Sequence, residues 1–371
     1  MAIIKPSIPL PYPLNSIKKR LQNKKSYYVI KDQLSEDEHE LMSQILCETR
    51  HGNRNNITRT DAYLRFYLQF PEIEWSFLAH MVSRNAGWNM TDLKGGLLPK
   101  LLTNEQQQYF FHFLERSNWL IFQDAYPQLR LYEASIRLGK NMFYLLPLFG
   151  VSYFMKVIWD YFYEDRQRSL ITTALIINEQ NYIENRVIHN PQYAKTNMEA
   201  LEFIGQQMMQ MNQIMFPFKE ESRVRLVGLN VYHFESLTKR INIGKQLYQV
   251  LFHPNYYPAI YQFALTTRHS GSRQDYWPSL FHETQHVPLK RIKVKAPGNW
   301  WLKPLFSPKL RDVWTDIHHP NSENEDWYTD WRTVYLLDKI NAPKNPDILT
   351  AYHHTLVKLQ LAVKIKEWIG E

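Results

Sequence analysis

The chain has little glycine, almost no cysteine and no long apolar run, and each shortage closes off a class of protein. Twelve glycines in 371 residues is less than half of the average usage of about 7%. Tight turns and glycine-cradled phosphates are correspondingly few. Neither G-x-x-x-x-G-K nor G-x-G-x-x-G occurs, which disfavours P-loop and dinucleotide-binding folds. The lone Cys47 has no partner for an internal disulfide, so the chain reads as cytoplasmic rather than as a secreted disulfide framework. The start MAIIKPSIPLPYPL has too short an apolar run and too many prolines for a signal peptide, and the basic cluster Lys18, Lys19 and Arg20 follows it. The best membrane candidate, residues 142–155, is 14 residues long, whereas a spanning helix needs about 20. It reads as a buried core helix.

Hydrophobic content of 44% with 22% charged residues suits a folded globular chain with a real core. A net charge of +8 and a pI of 9.2 point to an anionic partner such as nucleic acid, phosphate or another small anionic ligand, or an acidic membrane surface. The excess is densest at residues 18–25 and 290–303; a solvated surface is the competing reading.

Helix grammar dominates. Ser35 to Glu38 is a capping-box pattern opening a helix through Leu41 and Ile45. Thr60 and Asp61 predict the next start, which Pro71 ends near Phe70. Pro71 then opens a helix to about Gly87. Thr103 and Gln106 form a second capping box before a long helix through Trp119, which Pro127 is expected to break or kink. Further helices are expected over 133–164 with a bend at Pro147, then 166–188, 197–215, 231–251, 256–268 and 346–369. The clearest strand signal is 291–295. The expectation is a mainly α protein: a proline-rich, basic arm over 1–34, a helical body over 35–270, an irregular elaboration packed on it over 271–345, and a C-terminal helix over 346–371.

Three stretches place charged and amide side chains inside apolar, helix-like sequence: LAHMVSRNAGWNMTDL (78–93), FLERSNWLIFQDAYPQL (113–129) and ALIINEQNYIENRVI (174–188). Burying such groups costs several kcal/mol unless they are paired, so they pair with one another or await a ligand. In the first, His80 and Arg84 continue the face of Ile73 and Phe77, and Asn85, Asn89 and Asp92 follow; Asp92 is placed to pair with Arg84. In the second, Glu115 shares a face with Phe111, Asn118 and Phe122, and Asp124 lies in the same apolar surroundings. In the third, Glu179 lines up with Leu175 and Ile183. Glu184 falls about 140° away, so the two cannot form a same-face pair. His80, Arg84, Asn85, Asp92, Glu115, Asp124 and Glu179 are therefore the candidate catalytic residues, with Arg84, Glu115, Asp124 and Glu179 expected to meet at one polar centre. Internal salt bridges are the alternative. A bundle di-metal site would also need Glu-x-x-His, which does not accompany these helices.

The wording of these stretches resembles a bacterial family of spore-forming Gram-positive organisms known as a domain of unknown function, of the 2515 type. The resemblance runs from about residue 58 to about residue 278 and implies no activity.

Outside it lies His282-Glu283-Thr284-Gln285-His286, a formal H-E-x-x-H match. On a helix opened by Pro278, His282 and His286 would share a face and bind zinc, with Glu283 as general base. Pro288 closes the segment at once, and no third ligand is evident. Just upstream, Ser270, Ser272 and Arg273 suggest an anion-binding loop feeding a helix near Pro278, or a plain turn with Arg273 and Asp275 paired. The run Lys290 to Lys295 followed by Trp300 and Trp301 would suit a phosphate backbone with stacked bases. No cofactor is identified. The functional expectation is a polar pocket inside a helical body, serving an enzyme of unassigned reaction or a small-ligand binder. A zinc-dependent hydrolase, a nucleic-acid-binding protein and a structural helical scaffold are the alternatives.

Overall fold

The computed structural model describes residues 11–23, 33–190, 213–231, 236–284, 294–295, 301–321 and 325–370. It is mainly α. The helices are α1 (Tyr12–Gln22), α2 (Glu36–Gly52), α3 (Asn56–Gln69), α4 (Glu74–Asp92), α5 (Leu98–Leu101), α6 (Asn104–Leu138), α7 (Tyr153–Asp165), α8 (Arg168–Ile183), α9 (Leu237–Leu251), α10 (Tyr257–Thr266), α11 (Leu310–Val313) and α12 (Leu349–Ile369). Both predicted capping boxes form, at Ser35 with Glu38 and at Thr103 with Gln106.

Several boundaries differ from expectation. α3 starts at Asn56 because Asn55, not Thr60, caps it through a reciprocal bond with Thr58. α4 runs on to Asp92, past the expected end near Gly87, which carries Asn89 and Asp92 on the helix instead of in a loop. Pro127 does not break α6; Phe122, Ala125 and Leu129 on either side are fully packed, and that burial holds the helix together across the missing N–H. The expected helix over 133–164 is instead the end of α6, a 3₁₀ segment Phe143–Phe149 containing Pro147, and α7. Residues 12–22 of the expected arm form α1, whose Leu14, Ile17 and Leu21 are buried against the body. The helix expected over 197–215 lies largely outside the described residues, and its last three residues belong to a strand.

That strand, β1 (Gln213–Glu220), pairs antiparallel with β2 (Arg223–Asn230). Glu221 and Ser222 between them have φ of 47° and 67°, the backbone of a two-residue hairpin turn. Residues 346–348 add to the other edge of β2, through Gly228 N to Pro346 O and Ile348 N to Leu226 O, and lead directly into α12. Shorter pairs join β3 (Phe281–His282) in parallel with β6 (Leu305–Phe306), and β4 (Val294–Lys295) antiparallel with β5 (Trp301–Leu302).

α8 is apolar on most sides because it is surrounded, touching α4, α6, α7 and α9. α4 crosses the same core between α3 and β1. Its polar side chains are therefore held among packed elements, which sets the geometry of the site below.

Candidate functional site

A polar seam runs along α4, where it meets the turn His269–Tyr276. At its far end Asp92 accepts from Arg273: Nε lies 2.9 and 2.8 Å from the two carboxylate oxygens, and Nη2 2.7 Å from Oδ2. Nη2 also donates to Asn89 Oδ1 at 3.0 Å, and Nη1 to the Tyr276 hydroxyl at 2.8 Å. That hydroxyl is 2.9 Å from the Tyr352 hydroxyl on α12. Burial opposes the Arg273 charge, but Asp92 and the two tyrosines outweigh it and hold the pKa well above the ordinary arginine value. Four of the five guanidinium N–H groups are engaged, and the charge is balanced.

The turn is closed on itself. Asp275 accepts from Ser270 N at 3.0 Å, from Ser270 Oγ at 2.6 Å and from Trp88 Nε1 at 3.4 Å. Ser272 Oγ donates to Ser307 O and accepts from Gln274 N. Gly271, at φ 85°, has no room for a Cβ, which would stand 2.7 Å from that of Leu310. The expected anion-binding loop is thus corrected: both hydroxyls serve the turn, no helix follows at Pro278, and Arg273 pairs with Asp92 rather than with Asp275. Local spacing favoured the Asp275 pair; the α4 packing supplies the better partner.

In the middle of the seam, His269 Nε2 meets Asn56 Oδ1 at 2.9 Å, and Asn56 Nδ2 donates to Ser83 O at 2.9 Å. The carbonyl fixes the amide orientation, so His269 Nε2 is the donor. Its Nδ1 faces Asp275 Oδ2 at 3.4 Å. Burial, with help from Arg84, lowers the His269 pKa against the pull of Asp275. Gly87 makes this meeting possible, since a Cβ there would lie 2.3 Å from Asn56 Oδ1 and 2.5 Å from His269 Nε2.

At the near end, His80 Nδ1 lies 2.8 Å from Thr60 O and so carries the proton; its buried Nε2 has no partner among the described residues. Burial and then Arg84 push the His80 pKa well down. Arg84 donates through Nη2 to Thr267 O and lies over the Phe263 ring, 5.0 Å from its centroid. Its Nε and Nη1 are buried without partners among the described residues. Burial lowers its pKa to about 10. Asn85 is engaged with backbone instead. Its amide exchanges two bonds with Met215, at 2.8 and 2.9 Å, as a neighbouring strand would.

The other carboxylates stand elsewhere, and none of Arg84, Glu115, Asp124 and Glu179 hydrogen bonds another. Glu115 pairs with Arg59 at 2.5 Å. Asp124 Oδ2 accepts from Gln128 at 2.8 Å and Asn178 at 2.5 Å. Glu179 accepts from Trp75 Nε1 at 3.1 Å and Gln180 at 3.2 Å. The shared centre is therefore corrected to three separate arrangements plus the seam. Each group found neutral or cationic donors on a neighbouring element. A trace of the expected convergence survives at the buried Tyr63, which burial first and then the Glu179 charge make harder to ionise, with Arg59 opposing and Asp124 adding.

The H-E-x-x-H helix does not form. His282 ends strand β3 and its Nδ1 lies 2.6 Å from Thr284 O, while Glu283 pairs with Lys309 at 2.8 Å. Parallel pairing with β6 takes the backbone that a helix would need. His286 lies outside the described residues, as do Lys290 to Lys293 and Trp300 of the basic aromatic run. No group of three or more metal-ligating side chains occurs among the described residues.

A narrow cleft with a free volume of only about 30 Å³ adjoins the Asp92–Arg273 end. Leu98, Leu356, Leu359 and Phe281 form its apolar walls, and Gln213 and Tyr352 add polar groups. Gln213 Oε1 is buried without a partner among the described residues. Sequence reasoning found Asp92 and Arg273, named Asp275 with the wrong partner, and missed Gln213, Tyr352, Asn56 and His269. Asn56 lies in the mostly polar stretch Asn53 to Thr60, and it, Gln213 and Tyr352 carried no local signal.

The model of a family described as "Protein of unknown function (DUF2515)" matches residues 51–348. The chain is 38% identical over 330 residues to "Uncharacterized protein YppC" of Bacillus subtilis (strain 168), covering 89% of this chain and 96% of that protein. No solved structure matches the chain.

Proposed function

The chain belongs to the DUF2515 family, and we propose that it is a small-ligand-binding protein whose narrow cleft takes the end of a small molecule presenting an uncharged polar group. The carrying observation is the placement of the Asp92–Arg273 pair and Gln213 beside apolar cleft walls. Ligand sites are characteristically concave and apolar with a few converging polar groups. The balanced ion pair argues against a charged ligand: Asp92 already balances the Arg273 charge, so an added carboxylate or phosphate would meet no net positive charge. One Arg273 N–H without a partner among the described residues, the Gln213 amide and the Tyr352 hydroxyl suit a hydroxyl or amide group. A cytoplasmic location is part of this proposal, in keeping with the single, exposed Cys47. Among the described residues no helix is long and apolar enough to cross a membrane.

The test is thermal unfolding of the protein with medium-chain alcohols and primary amides, beside the matching carboxylates. Stabilisation by the uncharged series, abolished in Leu356→Trp where the added ring fills the cleft, supports the reading. Stabilisation by the carboxylates alone, or an equal response in Leu356→Trp, refutes it.

A further inference from the structure

Helix α12 carries two apolar faces. Tyr352, Leu356, Leu359 and Val363 are buried against the body, as an amphipathic helix requires. On the opposite side Leu361, Ile365, Trp368 and Ile369 are 46%, 57%, 88% and 62% exposed. At about 100° per residue these four fall in one stripe about 100° wide, so they form a patch rather than scattered singletons. Trp368, the largest, sits at the exposed tip.

The charge around the patch is mostly positive. Lys358 continues the stripe toward the body, Lys364 borders it, and both are exposed. Lys100 and Lys303 lie on segments that touch the same helix, through Lys100 Nζ to Glu367 at 2.7 Å and Gln360 Nε2 to Lys303 O at 3.2 Å. Glu367 is thereby engaged by a lysine. A second copy docking here would bring lysines against lysines. Nucleic acid would meet the lysines but leave the aliphatic stripe without an apolar partner. An anionic bilayer satisfies both, because lysines reach the phosphates while Trp, Ile and Leu enter the headgroup and acyl boundary.

We propose that the exposed end of α12 is a membrane-surface contact that recognises anionic lipid. The full chain is cosedimented with vesicles of phosphatidylcholine alone or mixed equally with phosphatidylglycerol. The expected result is about tenfold stronger binding to the anionic vesicles, falling with added salt. Trp368→Ser with Ile365→Ser, and separately Lys358→Glu with Lys364→Glu, should each abolish it. These positions are exposed, and unchanged melting of the variants confirms that they fold. Binding to neither vesicle, equal binding to both, or binding that survives Trp368→Ser with Ile365→Ser overturns the proposal. So does a concentration-dependent dimer, without vesicles, that the stripe variant dissolves, since the patch then belongs to a second copy.

Discussion

Arg59 Nη2 and Glu115 Oε2 stand 2.5 Å apart across 56 residues of sequence, and both side chains are almost wholly buried. Arg59 also reaches Asn53 Oδ1 at 3.2 Å, so the pair ties α3, the turn before it and α6 into one unit. Removing one partner leaves the other charge buried and alone. Glu115→Gln is expected to cost about 3–5 kcal/mol, and Arg59→Met a similar amount. The double variant Arg59→Met with Glu115→Leu should recover most of the loss. Urea unfolding of the three variants measures this; single variants within about 1 kcal/mol of wild type would refute it.

Arg84 provides the opposite case. It has no carboxylate within ion-pair distance among the described residues, and two of its three nitrogens lack partners there. Arg84→Met removes a buried, poorly compensated charge and keeps the stem. Its stability should stay within about 1 kcal/mol of wild type or rise above it. A loss as large as that of Arg59→Met, in the same urea series, would show that Arg84 is held by a strong partner.

Asp124 and Glu179 titrate in the wrong place for surface carboxylates. Burial raises both to about 7, against opposing hydrogen bonds from Asn178 and Gln128 to one and from Gln180 and Trp75 to the other. A folded-state value above the unfolded one means that the native state binds more protons. Their contribution is thus full below about pH 4, the unfolded range, and is lost as pH rises through 7. In Asp124→Asn with Glu179→Gln the decline in stability between pH 4 and 7 should be shallower. Denaturation midpoints at four pH values decide it, and parallel curves for the two proteins would sink the idea.

His353 predicts a pH effect of the other sign. Burial, followed by the His354 charge, lowers its pKa to about 4, and neither ring nitrogen has a partner among the described residues. The neutral ring packs on Trp277 with centroids 4.9 Å apart. Its stabilising contribution is present above the unfolded value near 6.5 and is lost as pH falls toward 4. His353→Phe should match wild type at pH 8 and exceed it at pH 5 in thermal melts. Equal differences at the two pH values would refute this.

The β1–β2 turn places Glu221 and Ser222 at positive φ, which suits Asn and Gly far better. Glu221→Asn with Ser222→Gly is expected to add about 1 kcal/mol, measured by urea midpoint. An unchanged or lower midpoint would mean that the turn carries no strain at these two positions.

Much of the helical grammar was legible. Ser35 with Glu38 and Thr103 with Gln106 announced two helix starts, because capping bonds join residues three apart. So was the burial of Glu115 and Asp124 and the half-burial of Glu179, because apolar residues at helical spacing leave a polar group little exposed face. The hairpin was not legible as read: β1 carries Pro217 and the apolar run Ile214 to Phe218 with little alternation, so its strand character rests on pairing with β2 and on the amide of Asn85.

The sequence by itself determined most of the helix starts and which polar residues the core would have to accommodate, since both follow from interactions within a few turns of chain. Only the tertiary structure decided the partners. Asp92 joined Arg273 across 181 residues, Glu115 joined Arg59, and Arg84 was left with a backbone carbonyl. A buried charge takes the best-placed donor or acceptor among all packed neighbours. That choice depends on helix crossings and on close approaches such as the one at Gly87, which no local pattern encodes.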